Sequence, residues 1–343
     1  MSTEDIVATA LALVSPGRGL LAMDESNGTC DARFARWGIA QSVQSRRAYR
    51  EMIVTTPGLE EWISGVIFYD ETIRESTRTG IPLVKVLTDR AIIPGIKVDT
   101  GAKDMAGFSG ERITEGLDGL RERLRTYHEL GARFAKWRAV VAIGDGLPTR
   151  GCMLVNAHAL ARYAALCQEA CIVPVVEPEV LMEGPHALER CAAVTEELLR
   201  MVFDEMSAQR VILRGMLLKP NMVLAGLSCR VQPSVSDVAD ATFECLSRTV
   251  PAAVPGVAFL SGGQSGALAS ARLNEMNVRF RSRLPWALTF SFARAIQEPA
   301  MEIWRGEQAN VRRAQLALAH RARCNAAARR GEYNAANEEG EGS

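Results

Sequence analysis

The chain has 343 residues, 48% hydrophobic and 23% charged, with 40 basic side chains balanced by 40 acidic ones. That length suits one (β/α)8 barrel with additions, a fold spanning roughly 200 to over 400 residues, and a core of this size needs no disulfide or metal support. Neutrality leaves no electrostatic footprint for nucleic acid or an anionic membrane surface, and no apolar run approaches the ~20 residues of a membrane span.

Residues 3–14 read as a short helix ended by Ser15-Pro16-Gly17. Gly19–Asp24 is a small buried strand with Asp24 at its carboxyl end, and residues 41–55 are a helix. Ile63–Asp70 and Pro82–Asp89 are apolar runs closed by Asp and predict two more strands, although the link between them is short for a crossover helix. Ile93–Asp99 reads as an irregular loop carrying Lys97. Glu115–Gly131 is amphipathic, with Leu117, Leu120, Leu124, Tyr127 and Leu130 at steps of three or four.

Strand and helix then alternate. The strands are 132–143, 172–180, 211–219, 256–264 and 285–294; the helices are 156–170, 185–206, 236–250, 266–277 and 298–330. Eight continuously apolar runs suit a parallel sheet covered on both faces. A doubly wound open sheet predicts a Gly-rich dinucleotide turn after the first strand, which is absent. The expected fold is therefore α/β, a single-domain TIM barrel over 1–330 with helical additions at both ends, and a mobile acidic tail over 331–343.

In such a barrel the functional groups lie at the carboxyl ends of the strands. Asp24 ends the first strand and Lys219, Ser261 and Arg294 end the last three, while Lys136 with Arg138 and Glu177 with Glu179 each share one face of their strand. The segment 211–222, VILRGMLLKPNM, reads as a buried strand that ends abruptly in Lys219 before Pro220 and Asn221. Burial disfavours an ammonium charge and leaves part of a lysine population as free nucleophile. Only five of the 40 basic residues are lysine, against 35 arginines. A proton that can be released is the one property guanidinium lacks, which makes Lys219 the candidate Schiff-base lysine. The plainer alternatives are a surface lysine after a strand, and an ion-pair network that only locks the barrel top.

Two phosphate sites are suggested. Ser261-Gly262-Gly263 opens a glycine turn between a strand and a helix, able to aim backbone N–H groups at an anion, with Arg294 nearby in the following unit. A more diffuse cluster of Ser26, Arg33, Lys97 and Arg138 would suit a phosphate at the far end of an extended substrate. The four histidines, His128, His158, His186 and His320, have no metal-ligand spacing, so no metal is expected. The eight scattered cysteines form no CxxC pair and read as reduced thiols of a cytoplasmic protein.

These segments together resemble class I fructose-1,6-bisphosphate aldolase over nearly the whole chain. The resemblance is carried by LLAMDES (20–26), GIKVDTG (95–101), EGLDGLRER (115–123), ARFAKWR (132–138), PVVEPEVL (174–181), LLKPNM (217–222), FLSGGQS (259–265) and PWALTFSFAR (285–294). It implies metal-independent cleavage of a phosphorylated ketose without a cofactor, usually by a cytoplasmic homotetramer of glycolysis or gluconeogenesis, a family whose members also engage cytoskeletal partners. It further implies that Lys219 attacks the ketone, with Glu177 as acid/base supported by Glu179. Asp24 would take the C4 hydroxyl proton, and Lys136 would stabilise charge. Ser261, Gly262, Ser291 and Arg294 match the C1-phosphate site; Ser26, Arg33, Lys97 and Arg138 match the C6-phosphate side. Another barrel Schiff-base enzyme such as a transaldolase, a sedoheptulose 1,7-bisphosphate aldolase and a non-catalytic scaffold are the competing readings.

Four positions depart from the family pattern. Arg214 replaces a usual Glu within the lysine signature, and Ala293 replaces the Gly before the phosphate arginine. Ala32 stands where many relatives carry a second basic residue beside Arg33. The chain ends Gly-Glu-Gly-Ser rather than in the tyrosine that assists proton transfer in vertebrate and plant relatives; its last tyrosine is Tyr333.

Overall fold

Strands that are apolar on both faces need cover on both faces, and a closed barrel ringed by helices supplies it. The computed structural model describes residues 3–338. The chain runs through α1 (Thr3–Leu13), β1 (Gly19–Ala22), α2 (Asn27–Arg36), α3 (Val43–Val54) and β2 (Ile63–Phe68). Two short helices, α4 (Asp70–Ile73) and α5 (Leu83–Thr88), lead to β3 (Ile93–Lys97), then to a hairpin of β4 (Gly101–Asp104) and β5 (Arg112–Glu115). Next come α6 (Leu120–Glu129), β6 (Phe134–Val141), α7 (Arg150–Glu169), β7 (Val173–Val180) and α8 (Leu188–Ala208). The last units are β8 (Leu217–Leu218), α9 (Val235–Thr249), β9 (Gly256–Phe259), α10 (Gly266–Arg279), β10 (Ala287–Phe292), α11 (Arg294–Trp304) and α12 (Val311–Arg330).

Eight parallel strands close in the order β1-β10-β9-β8-β7-β6-β3-β2, with the β4–β5 hairpin outside the barrel. The main core lies between strands and helices. A second, smaller core fills the barrel interior, where Leu20, Phe134, Val173 and Leu217 meet Ile6, Ala10 and Leu13 of α1. Helix α1 thus plugs the amino-terminal mouth, and Asp24, Lys136, Glu177 and Lys219 lie beyond this apolar filling.

Several sequence expectations are corrected. Pro82–Asp89 is not a strand but contains α5: Leu83 and Leu87 are buried one turn apart, while Val84 and Val86 are half-buried. Over so few residues a helical spacing is hard to tell from alternation. The true third strand is β3, where Pro94 and Gly95 had suggested a loop. Phe134 explains the glycine, because a Cβ at Gly95 would lie 2.3 Å from its ring. The lysine strand is shorter than expected, since Leu213–Gly215 forms a 3₁₀ turn and only Leu217–Leu218 pair as β8. The expected helix 298–330 is two helices, α11 and α12. The break follows from left-handed backbone at Arg305 (φ 48°) and Gly306 (φ 82°). Helix α2 had no sequence expectation; Ser26 caps it, its hydroxyl accepting from Thr29 N–H at 3.3 Å.

Of the tail expected over 331–343, residues 331–338 fold back on the barrel. Glu338 accepts from Arg321 at 2.5 and 2.6 Å, and from the Tyr333 hydroxyl at 2.6 Å. Residues 339–343 lie outside the described residues.

Candidate active site

Parallel register sets the geometry. In the β6–β7 pair Lys136 lies beside Val175 and Arg138 beside Glu177, so cations of one strand stand diagonal to carboxylates of the next. Lys219 follows β8, with its backbone N–H bonded to Val176 O at 2.8 Å. Asn221 fixes the turn after it: the side-chain oxygen accepts from Val180 N–H at 2.9 Å, and the amide nitrogen donates to Met222 O at 3.0 Å. Sequence reasoning assigned Asn221 no role beyond breaking the strand.

The result is a buried relay of alternating charge. Asp24 Oδ2 lies 2.8 Å from Lys136 Nζ, Lys136 Nζ lies 2.9 Å from Glu177 Oε2, and Glu177 Oε1 lies 3.1 Å from Lys219 Nζ. All four side chains are under 10% exposed. Burial penalises the Lys219 charge first, and neighbouring Lys136 adds to it; Glu177 and Asp24 oppose them but do not win, so the Lys219 amine loses its proton more readily than an ordinary lysine. Lys136 is the reverse case. Burial again disfavours its charge, but Asp24 and Glu177 together outweigh that and hold it firmly as an ammonium. Burial pushes Asp24 and Glu177 upward, yet the two lysines leave both below the usual carboxylate range.

Around the relay opens a cleft of about 440 Å³, and all fourteen residues proposed from the sequence except Gly263 line it. Gly263 sits one residue further along the same turn, where Gly262 (φ 57°) and Gly263 (φ 89°) both take left-handed backbone that favours glycine. The Ser291 hydroxyl is buried in this cleft without a hydrogen-bond partner among the described residues. On the Ser26 side each expected cation has a carboxylate: Arg33 donates to Glu25, Lys97 lies 3.0 Å from Asp99, and Arg138 donates to Glu179. Sequence reasoning missed Glu25 and Asp99. Glu25 follows Asp24 directly and is held below its usual range: burial opposes its charge, but Arg50 and Arg33 prevail. A larger groove of about 650 Å³ runs between α8 and α9 on the outer surface, lined by alanines and carboxylates and remote from Lys219.

The departures from the family pattern also find places. Arg214 is exposed in the 3₁₀ turn at the opposite end of the barrel from the cleft. Ala293 has φ −105°, outside the left-handed region, so its methyl needs no glycine backbone. Ala32 is exposed at the cleft edge.

The sequence profile described as fructose-bisphosphate aldolase class-I matches residues 5–343. The chain belongs to this family. It is 51% identical to the probable fructose-bisphosphate aldolase class 1 of Xanthomonas campestris pv. campestris, over 97% of this chain and 99% of that one. It is 46% identical to the cytosolic fructose-bisphosphate aldolase 6 of Arabidopsis thaliana, over 99% and 94%. The solved fructose-bisphosphate aldolase of Plasmodium falciparum, in complex with TRAP and a small-molecule inhibitor, superposes with a TM-score of 0.95 at 44% identity, covering 96% of this chain and 95% of that one. The barrel of this aldolase is therefore the family barrel, and no described helix is long and apolar enough to cross a membrane.

Proposed function

We propose that this enzyme cleaves fructose 1,6-bisphosphate reversibly to dihydroxyacetone phosphate and glyceraldehyde 3-phosphate through a Schiff base on Lys219. The observation that carries the reading is the buried Asp24–Lys136–Glu177–Lys219 relay, in which the terminal amine is eased toward its neutral form. Neutral Nζ adds to the C2 carbonyl. Glu177, an ionised carboxylate 3.1 Å away, takes the proton that the adding nitrogen gives up and passes it to the C2 oxygen, which leaves as water as the iminium forms. Asp24 then removes the C4 hydroxyl proton. The C3–C4 electron pair moves into the iminium to give an enamine, and the aldehyde half departs. Protonation at C3 and hydrolysis return Lys219 and release the second triose phosphate. Lys136, kept charged between Asp24 and Glu177, stabilises the negative charge that develops at the C4 oxygen.

Ser261, Gly262, Gly263, Ser291 and Arg294 hold the C1 phosphate in this reading. Ser26, Arg33, Lys97 and Arg138 hold the other, and Glu179 restrains Arg138. Borohydride added with dihydroxyacetone phosphate should fix a covalent adduct on Lys219 and stop turnover, and Lys219→Arg should abolish both. An intact Lys219 after that treatment would overturn the mechanism. We further infer a cytoplasmic homotetramer, supported by the family likeness and tested by sedimentation. Cytoskeletal binding rests on the same likeness and is tested by filament co-sedimentation.

A further inference from the structure

Seven cationic side chains line the cleft, and five of them are already paired with carboxylates. Lys136 and Lys219 belong to the relay, while Arg33, Lys97 and Arg138 pair with Glu25, Asp99 and Glu179. Arg36 and Arg294 remain without a carboxylate partner among the described residues. Arg294 has a role in the reading above; Arg36 has none. A phosphate dianion meets an unpaired guanidinium without first breaking an ion pair, so the free cations weigh more in binding than their number suggests.

The position of Arg36 is informative. It closes α2 exactly one helical step of four after Ala32, where the family resemblance puts a second basic residue, and residues four apart share a helix face with Cβ atoms roughly 6 Å apart. Thr29, Ala32, Arg33 and Arg36 all face the cleft, and a long guanidinium stem spans that one-turn offset. Arg36 and Arg33 also flank a narrow cavity next to Trp37 and Arg294, so no wall separates the two arginines of α2.

We propose that Arg36 is a phosphate-binding and specificity-determining residue of this chain, replacing from one turn further along α2 the cation missing at Ala32. It binds the phosphate on the aldehyde half of a ketose bisphosphate beside Arg33. The proposal rests on the functional reading above for the identity of the ligand, and its test is built on binding so that the two can fail separately.

The probes are hexitol 1,6-bisphosphate and hexitol 1-phosphate, which carry no carbonyl and cannot be cleaved, titrated calorimetrically into the full-length protein. Arg36→Gln should weaken the bisphosphate by about tenfold, the scale of one lost charge-assisted phosphate contact, and leave the monophosphate unchanged within about twofold. Introducing Ala32→Lys into that variant should recover most of the loss. Equal weakening of both ligands would place Arg36 at the glycine-turn phosphate and overturn the assignment. No change with either ligand would reduce it to a solvated surface residue, and loss without rescue from position 32 would refute the shared-face argument. Arg36 is exposed, so the variant retains its fold, which a thermal melt checks. Should the wild type bind as expected yet fail to cleave fructose 1,6-bisphosphate, the Lys219 mechanism falls while the Arg36 assignment stands.

Discussion

Lys136 controls the acid–base balance of its neighbours. Removing it as Lys136→Met takes away a cation that depresses Lys219 and frees Glu177 to pair with Lys219 alone, and both changes favour the protonated amine. The acid limb of the kcat/KM profile should therefore move upward by about one pH unit, and kcat should fall by about 100-fold or more. A lowered kcat with an unmoved profile would mean that Lys136 does not tune the nucleophile. Glu75 offers a second test, on stability. Both of its oxygens are buried without hydrogen-bond partners among the described residues, and burial first, then the neighbouring Glu71, lifts its pKa from 4.5 to about 7. The native state thus holds a proton that the unfolded chain has released, and stability is lost as pH rises from about 4.5 through about 7. Glu75→Gln should be more stable than wild type by about 1 kcal/mol at pH 8, a figure reduced for the group's partial solvation, and no different below pH 4.5. Denaturant midpoints at the two pH values decide it.

At the level of elements, β3 is the informative case. Its neighbours on β2 and β6 hold it by backbone pairing, and Phe134 packs over Gly95 where a side chain would otherwise stand. Gly95→Ala should cost about 3 kcal/mol, because the ring is fully buried in the inner core and has nowhere to retreat. A thermal shift near zero would show that the barrel interior repacks freely. This strand was hard to read because Pro94 and Gly95 are local signals for a loop, and only the ring from β6 makes them fit a strand. The reverse error at Pro82–Asp89 has the same root. Six apolar-rich residues carry too few periods to separate a helix from a strand, and the choice falls to how they pack on α3 and β3.

Across the whole molecule the carboxyl-terminal segment ties α12 to α10. Arg321 is 7% exposed and bonds both Glu338 and the Ser270 hydroxyl, while Tyr333 bridges to Glu338. Glu338→Gln leaves Arg321 short of its counter-charge. It should lower stability by about 1–2 kcal/mol, less than for a dry pair because Glu338 is 32% exposed. Chemical denaturation of the variant against wild type measures this, and an unchanged midpoint would reduce the contact to a surface pair.

That the charged groups of the candidate site come together was legible in the chain itself. Apolar runs that end in Asp24 and Lys219, or carry Lys136 and Glu177 within them, suit strands buried on both faces whose charged groups meet one another, because isolated charges are not tolerated between apolar layers. Tertiary structure decided the pairing: which carboxylate neutralises which cation, that Glu25 and Asp99 occupy Arg33 and Lys97, and that Arg36 has no carboxylate partner among the described residues. Those outcomes depend on barrel register and on the pitch of one short helix. They join residues up to 112 positions apart, as in Asp24 and Lys136, and no local pattern encodes them.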